Sequence, residues 1–125
     1  MPINALGSGV SGLIANADRL NVSGHNVANV NTDGFKSQEI ATTDAAYIND
    51  IGTGVRVSSV YSPSRPGPLA VDAAGGVDSG MVEMSNTDLI RETTNQMAAQ
   101  KAYGANIATI RVADTMAQDL LNMVR

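Results

Sequence analysis

Gly7, Gly9 and Gly12 in the stretch GSGVSG stand at the G-x-G-x-x-G spacing that binds dinucleotide phosphates. Asp33 falls about twenty residues downstream, where a ribose-binding carboxylate would sit. That chemistry needs a buried strand leading into the glycines and a helix leaving them with its N-terminus on the pyrophosphate. Only MPINAL precedes Gly7, too short for a sheet-embedded strand, and Pro2 cannot donate to a ladder. No βαβ unit follows, so the glycines are not read as a nucleotide site. His25 is the one histidine, and no serine or cysteine nucleophile pairs with it recognisably; it reads as a helix-surface residue near a cap. Asp18, Asp33, Asp44, Asp50, Asp72, Asp78 and Asp88 are scattered and build no metal loop. With no cysteine, disulfides and thiolate metal sites are excluded. Catalytic, cofactor-binding and metal sites are therefore not expected, and neither is a small-molecule substrate.

Composition points the same way. The 125 residues suit one small domain, 43% of them hydrophobic but only 3% aromatic. An apolar set of Ala, Val, Ile, Leu and Met packs helices well and builds a thin core. Charged residues, at 16%, fall below the usual quarter, as expected of a surface covered by other chains. A net charge of −4 without any Lys/Arg cluster argues against nucleic acid. The sequence has no membrane-spanning run and no standard secretory signal, so export would need another route.

The elements that carry these residues are two helices. Ile3, Leu6, Val10, Leu13, Ala17, Leu20 and Val27 recur at spacings of three and four, with Gly24 in the one missing place. This is a heptad seam sustained over more than three repeats. The opposite face is Ser, Asn, Gly and Ala rather than Glu and Lys, which predicts burial on more than one side. The helix should stop between residues 28 and 33, where NVNTDGF favours turns and Gly34 can take positive φ. Glycines inside this helix weaken it when alone and let a neighbouring backbone come close.

The last forty residues mirror the first. SNTD supplies an N-cap at Ser85, Asn86 or Thr87, and no proline interrupts the chain after Leu89. Tyr103, Ile110, Ala117 and Val124 repeat every seven residues; Ala99, Ala113 and Leu120 take the neighbouring positions, and Ile107 and Leu121 widen the stripe. Between the helices, residues 54–61 and 80–84 read as strands. They flank SPSRPGPLAVDAAGG, where Pro63, Pro66 and Pro68 favour an extended loop. Residues 35–51 read as a mixed extended segment. The expected fold is mainly α with a small β insert: antiparallel terminal helices form a coiled-coil pair, with a short β-hairpin or extended region at their turn and the two chain ends close together. The expected divisions are 1–32, 33–84 and 85–125.

LNVSGHNVANVNTDGFKS closely resembles the N-terminal signature of the bacterial flagellar rod and hook protein family. Its Asn-rich turn is met by Asn26, Ala28, Asn29, Asn31, Thr32, Gly34 and Phe35. VEMSNTDLIRETTNQMAAQKAYGANIATIRVADTMAQDLL resembles the family's C-terminal segment, with Lys101, Ala102, Tyr103 and Asn106 at its core. The resemblance implies an axial structural protein that is not an enzyme. It also implies export by the flagellar type III apparatus and stacking with itself and other rod proteins into the periplasm-spanning, torque-transmitting shaft of the basal body. The short middle is similar to that of a small proximal-rod protein. A hook or distal-rod relative with a reduced middle, or a soluble helical adaptor, are the alternatives; concentration-dependent assembly separates the last from the rod reading.

Overall fold

The computed structural model describes residues 2–45, 47–48, 51–71 and 80–124, with no side-chain placement for residues 2–4, 47–48 and 51–52. Its element order is α1 (Pro2–Ala28), β1 (Glu39–Asp44), β2 (Tyr47–Ile48), β3 (Ile51–Gly52), β4 (Val55–Tyr61), β5 (Leu69–Val71), β6 (Met81–Glu83) and α2 (Leu89–Met123). The mainly helical fold with a small β insert is the one expected. The chain ends Met1 and Arg125 and residues 72–76 of the Pro-rich stretch, with Asp50, Asp72 and Asp78, lie outside the described residues.

Pro2 opens α1 at a position where its missing amide costs nothing. The helix ends at Ala28 in tightened turns: the Asn29 amide donates to His25 and Asn26 carbonyls, and the Val30 amide to the Val27 carbonyl. Asn29 Nδ2 donates to the His25 carbonyl at 2.9 Å, and Thr32 Oγ1 to Asn29 Oδ1 at 3.1 Å. Gly34 then takes φ +67°, and its amide donates to the Glu83 carbonyl at 2.6 Å. His25 meets Phe35 edge to face, ring centroids 5.4 Å apart.

The cap of α2 is Asp88, whose carboxylate accepts from the Ile90 and Arg91 amides. The expected candidates Ser85, Asn86 and Thr87 are spent elsewhere. Ser85 Oγ donates to Thr87 Oγ1 and accepts from the Thr87 amide, while Asn86 holds the segment after α1.

The helices run antiparallel. Gly9 faces Ile110, Gly12 faces Asn106, and Ser23 and Asn26 face Glu92, so advancing along α1 means retreating along α2. Among the described residues, the buried apolar side chains are three alanines, Ala15, Ala99 and Ala113.

The middle departs from expectation in two ways. The expected strands do not pair with each other. Instead β4 pairs antiparallel with β1, from within the ambiguous segment, and β6 pairs antiparallel with β5, from within the Pro-rich stretch. Pairing needs only two extended runs in register, and the weak alternation of residues 39–44 concealed one of them. The β1–β4 register breaks between Ala41 and Thr42, which pair with Ser59 and Val57 and leave Ser58 as the extra residue of a bulge. β2 and β3 form a two-residue ladder.

Nor does the insert sit beyond the helical turn: the β1–β4 sheet folds back along α1. Gln38 is held at Asn26, Thr42 Oγ1 lies 3.1 Å from Arg19 Nη2, and the Val55 amide donates to Ser11 Oγ at 3.1 Å.

Candidate assembly interface

An unbranched pair of helices offers three kinds of surface: the face turned to its partner, the face covered by other elements, and whatever is left over. On α1 the face turned inward is the small one. Gly9, Gly12, Ala15, Ser23 and Asn26 are buried, with Ala5 and Asn16 half-buried beside them. Apart from Ala15, these positions each precede a seam position, counting Gly24, by one residue. On a helix of 3.6 residues per turn, one position is a rotation of about 100°. The inward face is thus displaced by that angle from the apolar seam.

Two effects set this rotation. Small residues let the axes approach, so that a side-chain carbon built on Gly9 would lie only 2.7 Å from Ile110 Cγ1. Directional hydrogen bonds then hold the register. Asn26, at 0% exposure, donates from Nδ2 to Glu92 Oε1 at 3.0 Å, and Ser23 Oγ donates to the Glu92 carbonyl at 3.2 Å. Turning the apolar seam toward α2 would swing Asn26 away and leave the buried Glu92 carboxylate unsatisfied, which costs more than a neutral orphan.

Part of the seam is consequently left uncovered. Leu6, Leu13 and Val27 are half-buried, while Ala17 is exposed and Val10 and Leu20 are exposed at 48% and 46%. Ile3 lies in α1, but its side chain is outside those described. On α2, Ala99 and Ala113 are buried, and Asn106, Ile107, Ile110 and Ala117 are half-buried. Tyr103 is 41% exposed, Leu120 is about half exposed, and Leu121 and Val124 at the end of α2 are largely exposed. Of the turn motif, Asn26, Asn29, Thr32, Gly34 and Phe35 make the contacts described above and Ala28 and Asn31 are exposed; Ala102 of the C-terminal motif is exposed too.

The sheet uses the polar side of the helices. Arg91 pairs with Glu39, and Tyr61 donates its hydroxyl to Glu39 Oε2 at 3.0 Å. The Arg91 guanidinium first, then the tyrosine hydroxyl, hold the Glu39 carboxyl below its ordinary range, and the same contact raises Tyr61. Lys36 pairs with Glu83, which also accepts from the Gly67 amide at 2.7 Å; lysine first and amide second lower the Glu83 carboxyl. A groove of about 380 Å³ runs between α1, β1 and α2, lined among others by Arg19, Glu39, Arg91 and Glu92. Its charges are already spoken for: Arg91 by Glu39, Glu92 by Asn26 and Arg19 by Thr42. Among the described residues no cluster of His, Cys, Asp or Glu could hold a metal ion, and no helix is long and apolar enough to cross a membrane.

Gly7 and its neighbours are therefore helical surface and helix contact. The sequence predicted burial beside this face of Gly, Ala, Ser and Asn but set the apolar seam, not this face, against the partner helix, because such a stripe carries no hydrophobic period. Its one legible signal was the regular spacing of those residues one position ahead of the seam.

Comparison with known proteins gives this geometry a family. Residues 6–36 match the family model described as flagella basal body rod protein, and residues 78–123 match the C-terminal model of the flagellar basal body rod FlgEFG proteins. The chain is 30% identical over 114 residues to the flagellar basal-body rod protein FlgC of Salmonella typhimurium, covering 85% of each. It is 30% identical over 140 residues to the FlgC of Borreliella burgdorferi, covering 92% of each. The flagellar hook protein FlgE of Borreliella burgdorferi is 32% identical over 59 residues, 47% of this chain but 13% of the hook protein. The likeness to FlgC thus runs nearly end to end, whereas that to the hook protein is confined to a part. The chain belongs to the flagellar basal-body rod protein family and is a structural subunit of the basal body, not an enzyme.

Proposed function

We propose that this subunit is exported by the flagellar type III apparatus and polymerises helically, with itself and other rod proteins, into the proximal part of the periplasm-spanning shaft. The apolar seam of α1 and the uncovered end of α2 are its contacts with neighbouring subunits. One observation carries the reading: part of the heptad seam is not covered by the chain's own elements, with Val10 and Leu20 about half exposed in the isolated chain. A sustained apolar stripe left in water marks an association surface. Leu6, Leu13 and Val27 form the half-buried edge of that stripe, and Leu120, Leu121 and Val124 continue the apolar surface on α2.

The chain has no cysteine, so single cysteines report cleanly. Leu20→Cys and Leu121→Cys are each expected to cross-link to a neighbouring subunit in isolated basal bodies. A cysteine replacing Asp44, on the sheet, serves as the comparison. Absence of any cross-link from both seam positions, in basal bodies that contain the subunit, would overturn the interface assignment.

A further inference from the structure

Four residues after the α1 turn, 35–38, belong to no helix or strand, yet their backbone is held from both sides. On one side is Asn26, on the last turns of α1. Its Oδ1 accepts from the Gln38 amide at 2.7 Å and its Nδ2 donates to the Gln38 carbonyl at 2.8 Å, so one side-chain amide imitates a strand partner. On the other side is Asn86, just ahead of α2. Its Oδ1 accepts from the Ser37 amide at 2.7 Å, and its backbone N–H donates to the Phe35 carbonyl at 3.3 Å. Each asparagine is anchored in turn: Asn26 by Glu92 on α2, and Asn86 by donating from Nδ2 to the Arg65 carbonyl at 2.8 Å. Lys36, within the gripped segment, reaches the Arg65 carbonyl and Glu83. Ser37 and Ser85 are buried there.

We propose that Asn26 and Asn86 form a two-sided backbone clamp that welds the β insert to the helix pair, so that the junction after α1 is rigid and not a hinge. A free segment of this length, between a helix and a sheet, would normally let the two swing. Here it is threaded between residues at both helical ends: the Asn26 side-chain amide both donates to and accepts from Gln38, whereas the Asn86 side chain accepts from Ser37 and its backbone N–H donates to Phe35. At Asn26 aspartate would lack the donor and alanine both functions; at Asn86 aspartate keeps the side-chain acceptor, alanine loses it, and both keep the backbone donor. The clamp depends on the chain's own hydrogen bonds and would hold in the isolated subunit, whatever it assembles into.

The test is backbone amide exchange on the full chain, followed residue by residue. The Ser37 and Gln38 amides should be protected in the unaltered protein. Asn86→Ala should speed exchange at Ser37 about tenfold or more while Ala99, in the middle of α2, keeps its protection. Asn86→Asp retains the acceptor and should restore Ser37. Asn26→Ala should release Gln38 in the same way; should that variant fail to fold, the Asn86 pair decides. In relaxation measurements, β1–β4 and α2 should tumble with one correlation time. Exchange of Ser37 and Gln38 at the rate of an unstructured peptide in the unaltered protein would overturn the clamp. So would equal acceleration at Ala99 in Asn86→Ala, or failure of aspartate to rescue Ser37.

Discussion

Asn106 of α2 occupies the space that a side chain on Gly12 of α1 would need. A Cβ built on Gly12 would overlap the Asn106 amide nitrogen and lie 3.1 Å from its Cγ. One turn earlier, Gly9 gives the same room to Ile110, whereas nothing lies within 4 Å of a Cβ at Gly7. The three glycines of GSGVSG thus have two different jobs.

That difference predicts opposite effects from one substitution. Gly7→Ala should stabilise the helix by up to about 1 kcal/mol, since alanine loses less backbone freedom and meets no neighbour. Gly12→Ala gains the same propensity but must displace Asn106, and should destabilise the full chain. In a peptide of residues 1–32, where α2 is absent, each alanine should raise helicity. Circular dichroism of the peptide and thermal melts of the full chain check both. Equal stabilisation by Gly7→Ala and Gly12→Ala in the full chain would mean that the close approach at Gly12 is not maintained.

The outward seam gives a second prediction. Leu20→Asp puts a charge on a half-exposed position, so the isolated chain should keep its melting temperature and helix content nearly unchanged. In cells the same substitution should abolish rod assembly and motility, because the charge would be buried unpaired against a neighbour at a cost of several kcal/mol. Normal motility of Leu20→Asp would contradict the seam's role between subunits.

Gly34 supplies a third. Its φ of +67° strains any residue with a β-carbon, and open space surrounds it, so strain alone is measured. Gly34→Val should cost about 1 to 2 kcal/mol. Gly34→Asn, which tolerates that region, should cost clearly less. Urea unfolding of the two variants separates them.

A fourth concerns pH. Glu83 and Glu39 both have carboxyls lowered from the ordinary 4.5. A lowered folded-state value means that these contacts contribute fully above pH 4.5 and are lost as pH falls through the lowered values. Both groups sit near solvent, so the effect on global stability should be small and weakened by salt. It should be local: below pH 4.5 the Gly67 amide, which donates to Glu83, should lose protection relative to its intrinsic exchange rate at each pH, and Glu83→Gln should remove most of that loss.

Much of this architecture was legible in the residues themselves. Period-3.6 patterning over two long runs dictates two helices, and the Asn-Thr-Gly turn dictates where the first one stops, because local propensity and backbone sterics act within a few positions. The positive φ of Gly34 belongs to this class. What required the folded chain was every choice between faces. The seam of Leu6, Leu13 and Leu20 satisfies any partner, whether α2 or another subunit, since apolar burial is non-directional. The rotation that hides Gly9, Gly12 and Asn26 instead was settled by the close approach of Asn106 and Ile110 and by the hydrogen bond from Asn26 to Glu92, sixty-six residues away. The pairing of β1 with β4 and the cap at Asp88 followed from the same kind of competition. Asn86 and Asp88 are equally good caps by type, and only the nearness of Ser37 to Asn86 decides which one is free to cap α2. Directional contacts between distant residues carry no local period, so tertiary structure alone decided them.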